Sequence, residues 1–539
     1  GFSPGLGVFS QEDWKDAYRT VPGDVQYSVD DVEGGIPEAL RGGVLYRNGP
    51  GRFDRGGERY AHALDGDGFV TRLAFPEDGS PPQVSGRFVR TPWWEEEERQ
   101  DRISFRNTFG TQPPSLLENM FNLELKNAAN TNAQWWGGRL LALWEAGDVF
   151  ELDPETLDTQ GTTSLGGFSR LSQEGRRPAV DLGQQVLNNA AGFGGSAHTA
   201  HPHIDPHSQR LVGWSWTSVL GESIKLRVRE WNREWETQAD AEYVMESCSL
   251  APHDFALTPD YYIWIENAME VNTLPYILGL KGPAEALEMK PHSPVRVHVV
   301  PRPGSAASRR GEAPRVLSCP PWFCIHLSHA TQSSDGKTIH VYSSGWPEPE
   351  IKEGEAREER QQFLGDWAGE APDYTRISVT YFWRMEIDLA AGRVVSNSPF
   401  PGQKHCIEHP HVHPGLECGI QDTSAPRYAY MSLSNAVGLS TAPQGWLRVD
   451  LDTGATLEYY SGVRSFTEEL VLVPKETKAT YTPEDSSKVW LLGLVYDATK
   501  EVSSLEVVDG ETMERQCRIW LKHASPHGLH GAWRGPPQS

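Results

Sequence analysis

Short apolar runs separated by turn residues dominate the chain. The runs RLLALWE (139–145), YYIWIE (261–266), TIHVYSS (338–344), VTYFWRMEI (379–387) and VWLLGLVYD (489–497) are rich in β-branched and aromatic residues and predict strands. Gly, Pro, Asp and Asn clusters between them predict turns, and long amphipathic helical patterns are scarce. One turn recurs: an apolar residue and an Asp close a strand, as in Leu152-Asp153-Pro154, Ile204-Asp205-Pro206, Ile387-Asp388-Leu389 and Val449-Asp450-Leu451. Asp in that position accepts hydrogen bonds from its own downstream backbone. Repeated hairpins of this kind suggest the blades of an all-β propeller, although the repeat is too degenerate to count them. Three polar stretches read as solvated: 301–314 as a surface loop, 348–367 as an exposed helix or loop, and EEEERQ (95–100) as a solvent-facing surface.

Composition and charge narrow the field. A chain of 539 residues would ordinarily divide into three or four domains, but a ring of blades gains core with every repeat and holds this length as one. A net charge of −24 argues against nucleic acid as partner and against electrostatic adhesion to anionic membranes, while leaving apolar contact open. Six cysteines without CxxC spacing are too few for a disulfide scaffold, do not suggest a thiolate zinc site, and read as free thiols of a reducing compartment. No apolar run reaches the roughly 18 residues of a membrane span. The N-terminal GFSPGLGVFSQEDW lacks the basic and apolar regions of a signal peptide, so an intracellular chain is expected.

The histidines bring in metal chemistry. They number 18 and form two tight clusters: His198, His201, His203 and His207, then His405, His409, His411 and His413. Strand alternation would set His409, His411 and His413 on one face, as it would His201 and His203. Three same-face histidines on one strand rarely surround a single ion, so zinc or nickel at the second cluster is disfavoured.

Longer segments carry a more specific signal. YRNGPGRF (46–53), LDGDGFV (64–70), LKNAANTNAQWWGGRLLALWEAGDVFELDPETLDT (125–159), TAHPHIDP (199–206), PHDFALT (252–258), FCIHLSHA (323–330), ELVLVP (469–474), LVYDA (494–498) and PHGLHGAW (526–533) together resemble the carotenoid cleavage oxygenase family, in its order and nearly end to end. The resemblance implies a seven-bladed β-propeller over residues 1–539. A helical and loop cap near 110–127 and 265–290 would cover the face with the active site, and 1–40 would form an N-terminal extension. It implies Fe(II) on the axis, held by His201, His253, His326 and His530. These are separated by 52, 73 and 204 residues, a spacing that a ring of inner strands can bring together. Glu145, Glu408 and Glu469 match the carboxylates that orient such ligands, since an imidazole binding metal through one nitrogen is fixed by an acceptor at the other. On this reading Glu408 is the functional member of the 405–413 cluster and its histidine neighbours are bystanders or structural residues. Thr131 matches a position that shapes access to the vacant side of the ion. Two departures create rivals. His329-Ala330 stands where the family often has Asn-Ala, which makes His329 a competitor of His326, and His527 competes with His530, although register before Gly531 favours His530.

The implied reaction splits a C=C bond of an apolar polyene, a carotenoid or apocarotenoid, with O₂ to give two carbonyl products. Four imidazoles leave two positions of an octahedral ion, and the substrate is expected in an apolar tunnel. Leu116, Leu117, Met120 and Phe121, with Leu274, Tyr276, Ile277, Leu278 and Leu280, suit its mouth and a peripheral membrane contact. The alternatives are a stilbene- or vinyl-phenol-cleaving relative, for which Lys126 would have to engage a phenol without a convincing Tyr partner, and a catalytically silent propeller used for binding. The complete set of four His and three Glu argues against the latter.

Overall fold

The computed structural model describes residues 10–169, 197–219, 223–290, 292–348 and 378–536, so the polar stretch 348–367 lies outside the described residues except for Glu348. The runs expected as strands are strands: Arg139–Leu143, Tyr261–Glu266, Thr338–Pro347, Tyr381–Asp388 and Val489–Asp497. They belong to seven antiparallel sheets arranged as the blades of a propeller. The inner strands of most adjacent blades touch one another around the axis.

Blades 2 to 6 follow chain order, with inner strands Asn132–Trp136, the interrupted pair Ala197–His198 and His203–Asp205, Phe255–Leu257, Trp322–Gln332, and His405–Val412. The ring closes at two places. The late strand Gly531–Arg534 is the inner strand of blade 1, pairing Arg47 with Gly531 and Val44 with Arg534. The early strand Val32–Gly34 is the outer edge of blade 7, pairing Val32 with Ile519. Part of the 1–40 stretch expected as an extension therefore contributes to the ring: Val25–Ser28 edges blade 1.

Alternation along each strand serves two cores at once. Tyr261, Ile263 and Ile265 pack with Ile339, Val341 and Met385 of blade 5, while Tyr262 and Trp264 pack with Val212, Trp214 and Leu226 of blade 3. Both faces of a blade are buried, which is why the sequence shows near-continuous apolar runs. The Asp turns work as expected: Asp153 accepts from the amides of Glu155 and Thr156 at 2.9 and 2.8 Å, and Asp450 from those of Asp452 and Thr453 at 3.0 and 3.1 Å.

Helices are short. The two expected cap segments hold single turns, Leu116–Asn119 and Thr273–Ile277, joined by Phe121 N–H donating to Ile277 O at 2.7 Å, beside a ribbon of Met269–Val271 and Leu287–Met289. Two stretches expected to be solvated are not wholly so. Glu97, on the helix Pro92–Gln100, is fully buried, 2.6 Å from Lys126 Nζ and 3.3 Å from Arg55 Nε. Arg302, in the 301–314 stretch, is buried against Asp205 at 2.8 Å and Glu230 at 3.0 Å.

Candidate metal centre

His201, His253, His326 and His530 meet at the axis. Ring centroids are 4.4 Å apart for His201–His253, 4.8 Å for His253–His326, 4.5 Å for His201–His530 and 5.3 Å for His326–His530. Each sits at a break or an end of an inner strand. A regular strand would aim its side chains at the neighbouring blades, so an irregularity is needed to aim one along the axis. His201 fills the gap in the inner strand of blade 3, where Asn132 Nδ2 donates to Ala200 O at 2.7 Å and His201 N–H donates to Thr199 Oγ1 at 3.0 Å. His253 precedes the inner strand of blade 4. His326 stands in a register shift between Cys324 and Leu327, where its N–H donates to Ser344 Oγ at 3.2 Å. His530 precedes Gly531, where any Cβ would run into the carbonyl of Tyr46. Its N–H donates to Thr131 O at 3.1 Å, and its own carbonyl accepts from Asn48 at 2.9 Å.

The other three blades supply carboxylates. Glu145 Oε1 of blade 2 lies against His253 Nδ1 and 3.5 Å from His201 Nε2. Glu408 Oε2 of blade 6 is 2.8 Å from His326 Nδ1, and Ser344 Oγ donates to its other oxygen at 2.8 Å. Glu469 Oε1 of blade 7 is 2.9 Å from His530 Nδ1 and 2.7 Å from His411 Nε2, while Arg47 Nη1 donates to Oε2 at 3.1 Å. Burial alone would raise these acids, but the imidazoles hold Glu408 down to about 2 and keep Glu145 and Glu469 far below the usual carboxylate range.

A carboxylate only accepts, so Nδ1 of His253, His326 and His530 carries a proton, and Nε2 presents a lone pair whenever the ring is neutral. His253 Nε2 and His326 Nε2 are 3.0 Å apart. Two lone pairs at that separation repel unless a proton or a cation lies between them. Burial lowers His201 to about 3, helped by His253 and His530, and its buried Nε2 has no hydrogen-bond partner. Burial also opposes charge on His253, yet Glu145 lifts it to about 9. The site holds positive charge among its imidazoles and three acids, as a proton on His253 or as a cation in its place.

The family model for the retinal pigment epithelial membrane protein matches residues 18–535. The chain belongs to that family, the carotenoid cleavage oxygenases. The apocarotenoid-15,15'-oxygenase of Synechocystis sp. is 32% identical to it over 98% of both chains. The resveratrol cleavage oxygenase 1 of Aspergillus fumigatus is 23% identical over 95% of this chain and 93% of that one. Among solved structures, cobalt-substituted Synechocystis apocarotenoid oxygenase superposes with a TM-score of 0.81 at 30% identity, covering 98% of this chain and 99% of that one.

Within this carotenoid cleavage oxygenase the rival histidines separate cleanly. His329 faces away from the axis, stacked on Tyr342 at 4.4 Å, and His527 packs on Trp14 at 4.8 Å. His203 lies between Asp254, at 3.0 Å, and Glu417, and His413 packs on Tyr481 at 4.4 Å. Thr131 reaches the centre through its backbone, and its hydroxyl donates to Asn130 Oδ1 at 3.2 Å. His409, expected as a bystander or structural residue, lies near the axis: its ring stands 4.9 Å from His326 and 5.4 Å from His530. Strand alternation misplaced it because the ladder slips between Glu408 and His411. Lys126 is fully buried, with Asp67 and Glu97 each at 2.6 Å, and is not free to engage a phenol.

Proposed function

We propose that this oxygenase is Fe(II)-dependent, that His201, His253, His326 and His530 hold the ion, and that it cleaves a C=C bond of an apolar apocarotenoid into two carbonyl compounds. The observation that carries the metal reading is the 3.0 Å approach of His253 Nε2 to His326 Nε2, with the Nδ1 of each ring already committed to a carboxylate. The donor set fits: imidazole suits Fe(II), and the orphaned Nε2 of His201 gains a partner. Once bound, Fe(II) would supply the O₂ activation that scission of a double bond requires.

The chain's own residues do the rest. Glu145, Glu408 and Glu469 fix the imidazole tautomers and offset the charge of the ion. Thr131, beside His530, shapes the approach to the open side. An apocarotenoid is favoured over a hydroxystilbene because Lys126 is locked in its ion pairs. Leu116, Leu117, Phe121, Leu274 and Leu280 are exposed on the two linked cap segments and suit a shallow contact with membrane, from which an apolar polyene would be drawn.

Anaerobically purified protein is expected to carry one iron and, on aerobic incubation with a series of apocarotenals and a hydroxystilbene, to release aldehydes from the former by mass spectrometry. Cleavage of the stilbene alone would reverse the substrate assignment. His530→Ala is expected to lose iron while His527→Ala keeps it; the opposite pattern would reject the ligand set.

A further inference from the structure

We propose that His409 is a fifth imidazole of the centre, facing the metal position from the side of His326 and His530; this rests on the metal reading above. Its ring lies 4.9 and 5.4 Å from those two rings, close to the 4.4 to 5.3 Å found among the four histidines already assigned. Ligand nitrogens of His326, His409 and His530 lie within 4.8 Å of one another, a second group sharing His326 with His201 and His253. Nitrogens on opposite sides of one ion, each bound at about 2.1 Å, stand about 4.2 Å apart.

The backbone is bent to put the ring there. Consecutive residues of a regular strand point to opposite faces, so Glu408 and His409 cannot both border the axis without a break. The ladder slips between Glu408 and His411, and His409 takes the left-handed φ of 51°. For a residue other than glycine that conformation costs roughly 1–2 kcal/mol. The bulge turns the ring toward the centre and lets the His409 N–H donate to Glu408 Oε2, the oxygen that also meets His326 Nδ1. One residue thus braces the carboxylate through its backbone and offers its ring to the ion.

The ring has little else to do. His409 Nδ1 is buried and has no hydrogen-bond partner. A buried polar nitrogen left in that state is costly, and its usual remedies are a hydrogen bond or a metal. Five imidazoles would leave an octahedral ion one exchangeable position instead of two.

The test uses the full chain loaded with Co(II), in three forms: wild type, His409→Gly and His409→Asn. Glycine and asparagine both accept the left-handed backbone, so either substitution preserves the bulge, and the Asn variant decides the matter if the Gly variant folds poorly. The readouts are Co(II) stoichiometry, affinity against a competing chelator, and the visible ligand-field spectrum. Wild type is expected to bind one Co(II). Both variants are expected to bind it at least ~10-fold more weakly with a changed spectrum, and free imidazole should restore the wild-type spectrum in His409→Gly. One Co(II) bound with unaltered affinity and spectrum in the variants would overturn the fifth ligand while leaving the four-histidine reading intact. A wild type that binds no Co(II) would overturn both.

Discussion

Glu469 shows how much one side chain does at the centre. Its two oxygens meet His530, His411 and Arg47, so it sets a tautomer and also ties blade 7 to blades 1 and 6. Glu469→Gln keeps the shape but removes the charge and sets an amide donor against either the imidazoles or the Arg47 guanidinium. Metal affinity should fall about 10–100-fold in a chelator competition, with little change in melting temperature. A second residue-scale expectation concerns acid. Burial would raise Asp205, but Arg302 at 2.8 Å holds it down to about 2. The folded value lies below the ordinary carboxylate value of about 3.9. The pair therefore stabilises the fold above about pH 4 and loses that contribution as pH falls through 2. Asp205→Asn should cost about 2 kcal/mol at pH 7 and flatten the fall in stability between pH 4 and 2, read by urea unfolding. Residues of this kind were only partly legible in the sequence. The four histidines were found through ordered motifs, because their wide separations say nothing of proximity. The placing of His409 near the axis was not legible, because alternation presumes a ladder without slips, and neither was the burial of Arg302, because a loop-like polar stretch gives no sign of which side chains turn inward.

Elements explain why the site is rigid. The helix Pro92–Gln100 presents four consecutive glutamates, which reads as a solvated run, yet its third, Glu97, plugs a buried network of Arg55, Tyr60, Asp67 and Lys126. The sequence contains no local sign of this, since the partners come from other segments. Lys126→Met would leave the buried carboxylates of Asp67 and Glu97 with one paired cation, Arg55, in place of two. It should destabilise the protein by roughly 3–5 kcal/mol without conferring or removing stilbene cleavage, as measured by denaturant unfolding and product analysis. The strand Gly531–Arg534 is the matching case among strands. Gly531→Ala forces a Cβ onto the backbone of Tyr46 and should cost about 1–3 kcal/mol, with iron lost in parallel, because the same shift displaces His530. The five apolar runs were legible as strands, since β-branched and aromatic content and turn chemistry are local. The register slips that aim side chains down the axis were not, because they depend on pairing with distant strands.

Across the whole molecule, the seven blades divide the labour: blades 1, 3, 4 and 5 bring histidines, and blades 2, 6 and 7 bring the acids beside them. The exposed leucines of the two cap segments, Leu117 at 84% and Leu274 at 61% accessible, belong to no blade. Replacing both by Ser should reduce sedimentation with neutral vesicles several-fold while leaving iron content unaltered; undiminished vesicle binding would remove the membrane contact from the account. The ring itself could be anticipated from repeated hairpins, but the number of blades and the way they close could not, because both depend on partners hundreds of residues apart. That closure has a consequence for biosynthesis. Chains emerge from the ribosome N-terminus first, and His530 arrives after the other three axial histidines, just before the strand that seals blade 1. Nascent chains short of that point would present an unfinished cage of histidines, so on the proposed iron reading metal loading would be a step of maturation that waits for the ring to lock.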